Sequence, residues 1–197
     1  MAEPGLLDHD AIVVEQVRKL FELRNQYGLF DTAGQRIGAI EQVEQSPLQF
    51  LTRLFSDLDV MLPTTLAVED QSGQPVLRLH KPWFRWKVVV SRSDGTVLGT
   101  IAKQARVGKA RFTLDGPDGM RLGEVRAENW RARHFTVLDG SGQKVAEVTK
   151  KWRGLVAEAL TDADTYVVDL GGSTQPLRSL ALAAALSIDV IMKQKDT

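Results

Sequence analysis

A short turn rich in Asp and Gly, followed each time by a brief alternating strand, recurs five times along the chain. No other feature constrains the fold as much. The units are Asp31-Thr-Ala-Gly34 before residues 36–40, Asp70-Gln-Ser-Gly73 before 76–79, Asp94-Gly95 before 97–101, Asp118-Gly119 before 121–125, and Asp139-Gly-Ser-Gly142 before 144–148. Asp and Gly accept the positive φ angles of tight hairpin turns, and the β-branched runs beside them supply the strands. Further strand candidates fill the intervals, at 11–17, 25–30, 66–69, 85–91, 109–115, 133–138 and 165–170. The sum is about twelve strands, and their regular spacing with short turns favours a barrel or sandwich over a parallel α/β fold.

Two helices interrupt this pattern. Ser46-Pro47-Leu48-Gln49 has capping-box spacing with Pro at the first helical position, and Leu48, Leu51, Leu54, Phe55 and Leu58 then share one face. The second helix, 177–192, is apolar nearly all round, so it has to be buried. Its uncharged stretch, 179–188, lies between Arg178 and Asp189 and is too short for a bilayer, which takes about 20 residues.

A barrel of about twelve strands encloses more space than its own side chains fill, and a helix of about 10 Å diameter can occupy the rest. Gly38, Gly99, Gly123 and Ala146 each stand two residues before an apolar Ile40, Ile101, Val125 or Val148. Small residues at that place either make room for the helix or mark bulges where the barrel bends. The expected architecture is mainly β: one domain over residues 1–197 with its core in 11–192, a closed antiparallel barrel with a buried C-terminal axial helix.

The composition narrows the chemistry. With no Cys there is no disulfide, thiol nucleophile, Cys-ligated zinc or palmitoylation site in the chain, and the three His are far apart. No nucleophile-elbow or Gly-rich phosphate motif occurs. The expectation is a protein that is not an enzyme and needs no cofactor. Net charge is zero but unevenly spread. Residues 1–70 hold 5 basic and 12 acidic side chains, 71–153 hold 17 and 7, and 154–197 hold 3 and 6. A cationic middle points to an anionic partner. The start of the chain is acidic and lacks an apolar run, so a cytoplasmic location is expected, peripheral at the inner membrane face where lipid is bound.

Over residues 11–192 the sequence resembles the phospholipid scramblase and LURP-one-related group of tubby C-terminal-like proteins. The resemblance rests on the repeated D-G-x-x-[LI]-G-x-[IV] hairpins, on Asn129-Trp-Arg-Ala-Arg-His-Phe-Thr-Val-Leu-Asp-Gly140 and on Val145-Ala-Glu-Val-Thr-Lys-Lys-Trp152. Its most specific part is Asp162-Ala-Asp164-Thr-Tyr166 with Pro176-Leu177 opening the last helix. It implies a twelve-stranded barrel around an axial helix. It also implies a calcium segment opening at Asp162 and Asp164. Here Val167 stands at that segment's Gly position and Arg178 at its closing acid, whereas a calcium loop takes about six oxygens, a Gly turn and a closing acid. Asp162 and Asp164 are therefore only a weak candidate site.

The strongest binding candidate is His80-Lys-Pro-Trp83-Phe-Arg85-Trp-Lys87. Alternation puts Trp83, Arg85 and Lys87 on one face, combining an indole with cations in the manner that suits a lipid headgroup region. Lys103, Arg106 and Lys109 follow nearby and extend the patch. The expected function is non-enzymatic binding of anionic phospholipid, phosphatidylserine or a phosphoinositide, at a membrane surface. Two alternatives are a scramblase that moves lipid between leaflets and an interaction barrel without lipid contact. Nucleic acid is not expected as a partner, because the positive charge is spread over many strands and the pI is near 6.8.

Overall fold

The computed structural model describes residues 5–17, 26–43, 63–82, 87–104, 111–129, 134–149 and 165–192. Within them lie twelve strands: β1 (Ala11–Val17), β2 (Gln26–Phe30), β3 (Arg36–Val43), β4 (Thr64–Asp70), β5 (Pro75–Lys81), β6 (Lys87–Arg92), β7 (Val97–Lys103), β8 (Arg111–Asp115), β9 (Arg121–Asn129), β10 (His134–Asp139), β11 (Lys144–Thr149) and β12 (Tyr166–Asp169). One helix, α1 (Leu177–Met192), follows them. The strands pair antiparallel in sequence order, and β1 closes the ring by pairing with both β2 and β12. The closed barrel and its helix are those expected from the sequence. The helix expected from residue 47 lies outside the described residues.

The five repeats all make one turn. In each, the last Gly donates its amide to the carbonyl three residues back, Gly34 to Asp31, Gly73 to Asp70, Gly95 to Arg92, Gly119 to Gly116 and Gly142 to Asp139, at 3.0–3.2 Å. These glycines have φ of +78° to +89°, a left-handed conformation that other residues resist, which is why Gly ends every unit.

A bulge then follows every turn. The register skips one residue per hairpin, Ile37, Val76, Leu98, Leu122 and Val145, and all five are apolar and packed against the core. Bulges bend a strand and sharpen its twist, so five of them spaced around the sheet help it close on itself.

The two readings of the small residues turn out to be one arrangement. Gly38, Gly99 and Gly123 come directly after the bulged residue, and a Cβ at each would collide with the carbonyl oxygen of Glu69, Asp115 or Leu138 on the neighbouring strand. At Gly99 and Gly123 the same Cβ would also press on Leu180 (3.1 Å) or Leu177 (3.3 Å) of α1. We expect Gly123→Ala to cost about 1–3 kcal/mol. At about 2–4 °C per kcal/mol for a chain of this size, calorimetry should resolve the lowered Tm, and an unchanged Tm would contradict this packing.

The helix fills the lumen. Leu180, Ala181, Leu182 and Ala183 have no exposed surface, and α1 lies against β5 through β9 and β11. Where it enters, Arg178 is buried and its guanidinium donates to four backbone carbonyls. These are Leu7 (2.6 Å), His9 (2.6 Å), Leu170 (2.7 Å) and Ser173 (3.2 Å). The N-terminal segment and the loop after β12 are thereby tied to the first turn of the helix.

Candidate functional site

Antiparallel order gives the barrel two unlike ends. All five tight hairpins, the segment before β1 and the loop after β12 lie at one. At the other, strands end and restart across the remaining connections, and four consecutive strands there terminate in a cation: Lys81 closes β5, Lys87 opens β6, Lys103 closes β7 and Arg111 opens β8.

Strand alternation decides where each of these points. Lys87 is exposed beside the buried Val88, and it pairs in register with Ala102. Lys103, one residue on, therefore shares the face of buried Ile101 and stands opposite Phe112 in the core. Lys81 likewise follows Leu77 and Leu79 on the inner face and is buried. Arg111 is on the outside, with Nη1 3.9 Å from Glu124 Oε2. The cations thus straddle the barrel wall, two on each side.

Of the residues singled out from the sequence, Lys87 and Lys103 are described, at the same rim but on opposite faces of the wall. Trp83 and Arg85 lie outside the described residues, in the connection between Lys81 and Lys87. Arg106 and Lys109 also lie outside them, in the connection between Lys103 and Arg111. Asp162 and Asp164 lie outside as well. Among the described residues no cluster of three or more His, Asp or Glu is arranged to hold a metal. Lys81 joins the rim although its alternation with Leu77 and Leu79 had marked it in the sequence as an inner-face residue.

Much of the positive charge of β8 to β11 is offset, that of Arg111 included. On β8 to β11, Glu124 accepts from Arg126 Nε at 2.6 Å and lies near Arg111, Arg121 Nε is 3.4 Å from Asp115, and Glu147 takes both His134 Nε2 (2.8 Å) and Lys144 Nζ (2.6 Å). Burial alone would raise the Glu147 carboxyl, but the hydrogen bonds from Lys144 and His134 outweigh it and hold it below its usual range. On β5 and β6 the exposed Arg78 and Lys87 have no ion pair among the described residues. Next to them, on β3 and β4, a cleft of about 670 Å³ is lined by Arg36, Glu41, Glu69 and Asp70, where burial and then the charges of Glu41 and Asp70 raise the Glu69 carboxyl. The surface thus changes sign between β4 and β5.

The sequence profile of the family described as Scramblase matches residues 5–193. The chain belongs to the Scramblase family. It is similar to the Saccharomyces cerevisiae protein called Altered inheritance rate of mitochondria protein 25, with 24% identity over 95% of this chain and 69% of that protein. The X-ray structure of an Arabidopsis thaliana protein shares the fold, with a TM-score of 0.51, 16% identity and 91% of each chain covered. Among the described residues this Scramblase-family chain has no helix long and apolar enough to cross a membrane.

Proposed function

We propose that this Scramblase-family barrel binds anionic phospholipid through the rim formed by the ends of β5 to β8, without catalysing a reaction. The observation that carries the reading is the run of four strand-terminal cations, Lys81, Lys87, Lys103 and Arg111. The connections between them contain the cations Arg85, Arg106 and Lys109 and the indoles of Trp83 and Trp86. Each Lys or Arg near an anionic surface adds about 1 kcal/mol of attraction, and Trp favours the headgroup level. Family membership supports association with lipid. The filled lumen favours binding over passage of lipid through the barrel, since α1 occupies the axis.

The test is sedimentation with vesicles containing phosphatidylserine or a phosphoinositide. Binding is expected to fall steeply as salt rises beyond about 0.15 M, where the Debye length is about 8 Å. Arg85→Gln/Lys87→Gln is expected to reduce sedimentation several-fold, since each Lys or Arg near the surface adds about 1 kcal/mol of attraction, and to leave Tm within a few degrees of the parent. If the double variant and parent sediment equally, or the parent fails to sediment at low salt, the rim is not a lipid site and an interaction barrel is the better reading.

A further inference from the structure

The hairpin end is the electrostatic opposite of the cationic rim. Each of its five turns carries a carboxylate, at Asp31, Asp70, Asp94, Asp118 and Asp139. Arg121 pairs with Asp115 and Lys144 with Glu147, and Arg178 is buried with Asp10 Oδ1 3.3 Å from its Nη2, which leaves Arg36 and Arg92 against the five turn carboxylates. Hydrogen bonds in the turns, led by the Ser72 hydroxyl at Asp70, the Thr96 amide at Asp94 and the Ser141 hydroxyl at Asp139, hold these three carboxyls below their usual range. Asp70, Asp94 and Asp139 therefore remain charged in mildly acidic surroundings as well as at neutral pH.

The distance between the two ends makes this polarity directional. Strands of seven residues such as β5 and β7, rising about 3.3 Å per residue and tilted by about 40° as barrel strands are, separate the rims by about 18 Å. That is about two Debye lengths at physiological ionic strength. A surface touching one rim is screened from the other, so an anionic bilayer attracts the β5–β8 rim without being repelled by the hairpin end, and the inverted barrel is repelled.

We infer that the barrel docks on an anionic bilayer end-on, with the β5–β8 rim toward the headgroups and the five acidic hairpins directed into solvent. This rests on the lipid reading and adds an orientation to it. The consequence is that α1 stands along the membrane normal, and that the hairpin face stays available to other molecules while the protein is bound.

The absence of Cys from the chain makes the orientation directly measurable. Val43 ends β3 on the cationic-rim side and is 37% exposed, and Met120 in the fourth hairpin is 68% exposed. Val43→Cys and Met120→Cys would each be labelled with one fluorophore and mixed with phosphatidylserine vesicles carrying a headgroup quencher. We expect the Val43→Cys label to lose most of its emission and the Met120→Cys label to keep it. In an Asp94→Lys/Asp118→Lys background, the Met120→Cys label should become quenched too, and the vesicles should aggregate because both ends now bind. Sedimentation of the parent with the Met120→Cys label quenched as strongly as the Val43→Cys label, or with neither quenched, overturns the orientation alone. A parent that never sediments overturns the lipid reading itself.

Discussion

Ala184→Arg is expected to abolish the cooperative melt of this protein. Ala184 is 1% exposed in the middle of α1, between Ala183 and Ala185, which are also buried, and no acidic residue stands within four positions of it along the helix. An unpaired buried charge costs several kcal/mol and the larger side chain adds overpacking, against a total stability of about 5–15 kcal/mol for an ordinary domain. A graded partner removes any ambiguity about a variant that does not fold. Leu182→Ala, at a fully buried position, is expected to cost about 2–5 kcal/mol and to lower Tm by roughly 5–15 °C while leaving a single transition. Deleting the chain from residue 177 onward should give insoluble or molten protein. A truncated chain that stays soluble with a sharp melt would remove the filled-barrel architecture.

Arg178→Met is the second large effect, and its origin is backbone hydrogen bonding. Arg178 sits in the first turn of α1, where the helix dipole disfavours a cation, so its location is stabilised by what it binds. The side chain gives Leu7, His9, Leu170 and Ser173 a donor each, and Asp10 Oδ1 is 3.3 Å from Nη2. Leu170 retains the Ser173 hydroxyl at 2.6 Å after the substitution; the others lose the donor. The Ser173 carbonyl loses its donor at a buried place and those of Leu7 and His9 at partly buried ones, so at about 1–3 kcal/mol for a buried acceptor and less for the others a loss of about 3–5 kcal/mol is expected. Arg178→Lys should fall between, since an ammonium keeps the charge but lacks the planar fork that reaches several carbonyls together. Hydrogen exchange distinguishes this from general destabilisation: amides in residues 5–10 and 170–175 should lose protection before those of β7 and β9. Uniform loss of protection, or an unchanged Tm, would show that Arg178 does not tie these segments together.

Much of this architecture was legible in the sequence. Five Asp/Gly turns and seven intervening runs gave the strand number and antiparallel order, because hairpin chemistry is local and each turn is encoded by a few adjacent residues. The buried helix was legible for the same reason: a segment apolar on all faces has only the interior to occupy. The meaning of the small residues was not. Gly99 and Gly123 were explained by bulges or by the helix, and the contacts show both at once, since the bulge brings a neighbouring carbonyl against the same atom that faces α1.

The site divides along the same line. The cationic surplus of residues 71–153 was visible by counting, but a count cannot tell which charges are paired. Tertiary structure decided that Glu124, Asp115 and Glu147 offset the cations of β8 to β11, and that Arg78 and Lys87 stand without such partners among the described residues. It separated Lys103 from Lys87 across the barrel wall, and it gave Arg178, which in the sequence was only a departure from a calcium pattern, its place among four carbonyls. The sequence by itself determined the strands, the turns and the helix, whose causes lie within a few residues of one another. Pairing of charges, sidedness at strand ends and the gathering of carbonyls from residues more than 160 positions apart belong to the closed barrel, because only ring closure brings those groups within hydrogen-bond reach.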